Sequence, residues 1–104
     1  MARLKILERQ MGDTTILDLC GDVTFGEGNT ALREAIRRGI AEGGKNFILN
    51  FAGVVYIDSS GVGELVSGFI AVNREGGRLR LINLPPRTRE LLAICKLLTV
   101  FDVC

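Results

Sequence analysis

At 104 residues the chain is expected to form one domain over 1–104, large enough to bury a core and too short to join a catalytic domain to a regulatory one. Thirteen Lys and Arg against twelve Asp and Glu leave a formal charge of +1 with no basic run, which argues against a DNA or RNA partner. The chain has no histidine, so Ser-His-Asp and Cys-His catalysis and His-ligated metals are removed. Its 47% hydrophobic content, aliphatic more than aromatic, fits a small α/β domain and not a disordered chain.

In chain order, residues 4–11 and 14–19 contain short alternating runs, Leu4 and Ile6, then Ile16, Leu17 and Leu19, separated by Gly12-Asp13. That spacing predicts an opening β-hairpin. Gly21-Asp22-Val23-Thr24 interrupts it, and Thr24 with Glu27 three residues on has the form of a capping box, so a helix is expected to begin there. Its apolar stripe is Leu32, Ala35, Ile36 and Ile40, with Arg33, Glu34, Arg37 and Arg38 on a solvated side, and Gly43-Gly44 ends it. Gly26 and Gly28 weaken its first turn.

Residues 46–51 form a near-continuous apolar run, as expected of a central strand. The run leads to Asp58, a good N-cap, whose side chain can accept from the first free amides of a helix and which places Ser59 and Ser60 in the first turn. Val62, Leu65, Val66, Phe69 and Ile70 then recur at helical spacing. Glu75-Gly76-Gly77 turns the chain into a fourth strand over 78–82. Pro85-Pro86 opens a third helix carrying Leu91, Leu92, Cys95 and Leu98, and residues 99–103 read as a short edge strand. Strand and helix alternating after a hairpin gives a mixed sheet with right-handed crossovers.

No apolar stretch approaches the ~20 residues that span a bilayer, and the first eight residues lack the apolar core of a signal peptide. A cytoplasmic location without membrane insertion is therefore expected. Cys20, Cys95 and Cys104 are odd in number and widely spaced, so neither a disulfide framework nor a zinc site is indicated; Cys20 and Cys95 read as core residues, and Cys104 carries no role.

Ser60 does not sit in a Gly-x-Ser-x-Gly elbow. Gly61-Val62-Gly63 meets Val66 where a dinucleotide fingerprint needs glycine, and no P-loop lysine follows a glycine run. No catalytic residue, cofactor or metal is assigned, and the chain is read as not an enzyme. An anion could still touch the helix start. On spacing alone, Asp58-Ser59-Ser60-Gly61 is an ordinary helix start, and Asp22 and Thr24 a turn with a cap.

The segment Tyr56-Ile57-Asp58-Ser59-Ser60-Gly61-Val62-Gly63 closely resembles the phosphoacceptor motif, Asp-Ser-Ser/Thr-Gly followed by an apolar helix, of anti-sigma factor antagonists in the STAS family. The order of elements also resembles the STAS fold, a mixed four- to five-stranded sheet with three to four helices, over almost the whole chain. The resemblance implies that Ser59 is the phosphoacceptor, with Asp58, Ser60, Gly61 and Gly63 as its neighbours and partner contacts. Each glycine has two readings, clearing space for a partner or tight packing of the helix on its neighbours.

Family members often carry Gly-acidic-apolar-Asp before the first helix. Asp22 keeps the first acid and Thr24 replaces the last, leaving both as candidate partner contacts. The implied partners are an anti-sigma factor that is a serine kinase of the histidine-kinase ATPase type, whose capture frees a sigma factor, and a serine phosphatase that resets Ser59. The alternative is a STAS subunit of a scaffold or membrane transporter complex that is not phosphorylated.

Overall fold

The computed structural model describes residues 3–97 and 101–103. Strands β1 (Lys5–Met11) and β2 (Thr14–Val23) form the expected hairpin, running antiparallel from Met11 opposite Thr14 to Lys5 opposite Cys20. Gly12 makes the turn at φ 64°, a backbone state that favours glycine. Helix α1 (Glu27–Ala41), strand β3 (Asn46–Ile57), helix α2 (Ser59–Arg74), strand β4 (Arg78–Ile82), helix α3 (Pro86–Ile94) and strand β5 (Asp102–Val103) follow. The five strands lie in the order β1-β2-β3-β4-β5, and every pair after the first is parallel. The α/β class, the mixed sheet and the three helices among the described residues are those expected.

Period-two alternation decides which side of the sheet is covered. Leu17 and Leu19 of β2, Phe47, Leu49 and Phe51 of β3, and Leu79 and Leu81 of β4 are buried, and they meet Leu32 and Ile36 of α1, Leu65 and Val72 of α2 and Leu92 of α3 in one core. Successive strands are added in one direction, so crossovers of one hand put the helices on one face. Phe101, just before β5, is buried edge-on against Phe69, with ring centroids 5.5 Å apart.

Several expectations need correction. The capping box at Thr24 does not form: α1 begins at Glu27 with Gly26 at its N-cap and no side-chain cap. The chain turns there through φ 97° at Gly26, which a threonine resists, so Thr24 stays in the approach from β2 and offers its carbonyl to the Asn29 amide at 3.1 Å. Cys20 and Cys95 are exposed, not core. With Leu17 and Leu19 pointing inward, Cys20 falls on the opposite face by parity, and Cys95 lies past the last turn of α3. The expected edge strand is present at Asp102–Val103, while Leu98, Thr99, Val100 and Cys104 lie outside the described residues.

One departure positions the site. Strand β3 runs through Ile57, beyond the apolar run that announced it, because β2 also continues, pairing Asp22 with Tyr56 and Val23 with Ile57. Strand β4 stops at Ile82 opposite Asn50. Among the described strands, the far end of β3 is thus paired with β2 alone, and it carries α2 out beside the β2–α1 loop.

Candidate functional site

Asp58 joins β3 to α2 with an extended backbone (φ −106°, ψ −179°), as an N-cap requires. One carboxylate oxygen, Oδ1, accepts from the Gly61 amide at 2.8 Å and from the Ser60 hydroxyl at 2.6 Å; the other, Oδ2, accepts from the Phe25 amide at 3.2 Å. A single side chain therefore caps α2 and ties the β2–α1 loop to it.

Burial pushes the Asp58 carboxyl up. The Ser60 hydroxyl and then the Gly61, Phe25 and Ser60 amides outweigh that by stabilising the anion, so its pKa lies below the ordinary aspartate value. A group depressed in the folded state stabilises above its unfolded pKa and loses that contribution as pH falls through the folded value. Asp58→Ala is thus expected to cost about 1 kcal/mol at neutral pH. Urea unfolding at pH 7 and at about pH 3, below the usual aspartate value of about 3.9, should show the gap between variant and wild type narrow in acid. A gap of constant size would contradict this role.

The two serines differ in what their hydroxyls do. Ser60 is half-buried, and its Oγ donates to Asp58 while accepting from Asn29 Nδ2 at 2.8 Å. Ser59 is exposed, and among the described residues its hydroxyl makes no hydrogen bond. The N-cap geometry thus engages one hydroxyl in a network and leaves the other at the surface.

The two glycines differ as well. A Cβ on Gly61 would collide with the Val23 carbonyl oxygen and approach Ile57 Cγ1 to 2.8 Å, so this glycine lets α2 lie against β2 and β3, the tight-packing reading. A Cβ on Gly63 would meet nothing within 4 Å, and Gly63 shares the exposed side of α2 with Ser59.

Asp22 and Thr24, the two candidate contacts before α1, are 6% and 8% exposed and line a recess of about 260 Å³ with Arg3, Leu4, Phe25, Glu27 and Gly28. What projects from that loop is Phe25, at 85% exposure, with its amide on Asp58. Nothing in the sequence marks it, because a lone aromatic in a loop has no periodicity. One turn along α2, the buried Glu64 takes a two-pronged ion pair from Arg33 at 2.8 and 3.3 Å. Its hydrogen bonds and charge raise the Arg33 pKa, so Arg33 is not the unengaged surface residue its helix face suggested. The signal was the equal four-residue advance on the two helices, Asn29 to Arg33 and Ser60 to Glu64.

Among the described residues, no group of three or more acidic or cysteine side chains could hold a metal ion, and no helix is long and apolar enough to cross a membrane.

A parallel extension of a hairpin, helices on one sheet face and a helix start that presents a serine beside the β2–α1 loop define a STAS-type module. The STAS domain model matches residues 5–104, and the chain belongs to that family. An anti-sigma-B factor antagonist of Bacillus subtilis (strain 168) is 36% identical over 64 residues, which is 62% of this chain and 59% of that protein, so the match spans about three-fifths of the relative's length. In structure the chain is similar to the anti-sigma factor antagonist SpoIIAA in its unphosphorylated form, with a TM-score of 0.76 and 22% identity over 96% of this chain and 87% of the other. SpoIIAA in its phosphorylated form, a Bacillus cell fate determinant, gives 0.75 and 22% over 96% and 91%. An anti-sigma factor antagonist from Mycobacterium paratuberculosis gives 0.81 and 18% over 96% and 84%. These likenesses show the fold.

Proposed function

We propose that this protein is an anti-sigma factor antagonist with Ser59 as its phosphoacceptor. Unphosphorylated, it binds an anti-sigma factor that is also a serine kinase and so frees a sigma factor; phosphate on Ser59 ends the binding, and a serine phosphatase restores it. It acts as one domain in the cytoplasm, as an interaction protein and not an enzyme. The observation that carries the reading is the contrast between adjacent serines: Ser60 is tied to Asp58 and Asn29, and Ser59 stands exposed at the head of α2. Family membership and the partial match to an anti-sigma-B factor antagonist support it. Peptide mass mapping of the protein from its native cells should find phosphate on Ser59. A chain without phosphate in every growth state would contradict the proposal.

The docking surface in this reading is Ser59 and Gly63 on α2 with Phe25 beside them. A mostly exposed aromatic that fills a partner pocket carries about 2 kcal/mol or more of binding. Phe25→Ala is therefore expected to weaken the partner complex about thirtyfold by titration calorimetry without lowering the melting temperature. Unchanged affinity would remove Phe25 from the interface.

A further inference from the structure

Asn29 is a residue that the switch as described leaves unused. It lies in the first turn of α1, is 7% exposed, and donates from Nδ2 to the Ser60 hydroxyl at 2.8 Å. The chemistry fixes that direction: the ionised Asp58 can only accept, so Ser60 spends its one proton there at 2.6 Å and must itself accept from an amide N–H. The other amide atom of Asn29, Oδ1, is buried and has no hydrogen-bond partner among the described residues. A buried, unpartnered oxygen costs stability, and an apolar side chain of similar volume avoids that cost. Among the described residues, the one hydrogen bond that the Asn29 side chain makes is to Ser60, the hydroxyl next to the acceptor.

We propose that Asn29 is a specificity-determining residue: by holding Ser60 Oγ in the relay from Asn29 to Ser60 to Asp58, it confines phosphorylation to Ser59. The inference rests on the proposed role of Ser59. In the transfer, Ser59 Oγ bonds to the γ-phosphorus of a nucleoside triphosphate held by the kinase. The bond from that phosphorus to the β,γ-bridging oxygen breaks, the nucleoside diphosphate leaves, and the Ser59 proton passes to a base on the kinase. For Ser60 to follow the same course, its Oγ must give up the lone pair that Asn29 engages, and its proton must leave the bond to the Asp58 carboxylate or pass along it. Ser59 has neither bond to break. Loss of the Asn29 bond alone is worth on the order of tenfold in the reactivity of Ser60.

The test is peptide mass mapping of phosphate on the full chain produced in its native cells, for wild type, Asn29→Ala and Asn29→Leu, each with Ser59 intact and with Ser59→Ala. Asn29→Leu keeps the branching and the number of side-chain heavy atoms and removes the unpartnered oxygen, and Asn29→Ala adds no bulk, so the pair guards against one variant that fails to fold. The expected result is wild-type phosphate on Ser59, at least about ten to one over Ser60, and at most about a tenth of that level on Ser59→Ala. The Asn29 variants should raise the Ser60 share about tenfold and restore phosphate, now on Ser60, to Ser59→Ala. A merely structural role for Asn29 would change the melting temperature without moving phosphate between serines. Phosphate that stays on Ser59 in both Asn29 variants, or that loads both serines equally in wild type, overturns the inference and leaves the Ser59 switch standing. Phosphate on neither serine in any chain overturns both.

Discussion

Ser59→Asp is expected to bind the anti-sigma partner at least about thirtyfold more weakly than Ser59→Ala, while the two variants melt within a degree or two of wild type, about the spread of a surface substitution. The fold should not register the charge, because Ser59 is exposed and occupies the first position of α2, where the amides of the first turn and the positive end of the helix dipole favour an anion. That gain of about 0.3–1 kcal/mol is offset by the neighbouring Asp58 carboxylate. The interface is different. A charge trapped at the centre of a docked surface loses its water and meets partner carboxylates as like charge, a penalty of about 2–5 kcal/mol. A phosphate, with close to two charges, should exceed what aspartate does. Equal affinity of the two variants by titration with the purified partner would contradict the switch.

Gly61→Ala and Gly63→Ala, two residues apart on one helix, are expected to differ in sign. At Gly61 the added carbon runs into the Val23 backbone carbonyl, which β2 cannot withdraw without breaking its pairing to β3, so α2 must lift. Overpacking of this kind costs about 1–3 kcal/mol, or roughly 4–8 °C in melting temperature per kcal/mol for a domain of this size. At Gly63 the methyl enters open space, and replacing a helical glycine should stabilise by about 0.4–1 kcal/mol. Thermal melts of the two variants decide the matter. A Gly61→Ala chain as stable as wild type would mean that the contact of α2 with β2 is looser than its geometry indicates.

What the sequence disclosed was what neighbouring residues determine. Asp58 before an i, i+3, i+4 stripe announced α2 and its cap. Gly12-Asp13 marked the hairpin, and Pro86 opened α3. What it hid depends on partners far along the chain. The stretch of β3 after Phe51 exists because β2 continues alongside, which Ala52-Gly53-Val54 does not reveal. Thr24 and Glu27 have the right spacing for a capping box, but a positive φ at Gly26 carries the chain past it. Residue type alone points Cys20 to the core, and strand parity turns it outward. The site was half legible: the Asp58-Ser59-Ser60-Gly61 start stood out, while the bond that separates the two serines comes from Asn29, 31 positions away on another helix.

The central claim is that the state of Ser59 decides which protein is held. Its most direct test is affinity capture from native lysate with Ser59→Ala and Ser59→Asp baits. The account predicts that an ATPase of the histidine-kinase type with anti-sigma activity is retained by Ser59→Ala and lost by Ser59→Asp. Scaffold or transporter subunits held equally by both baits would contradict it and make Ser59 a helix-start residue with no switching role.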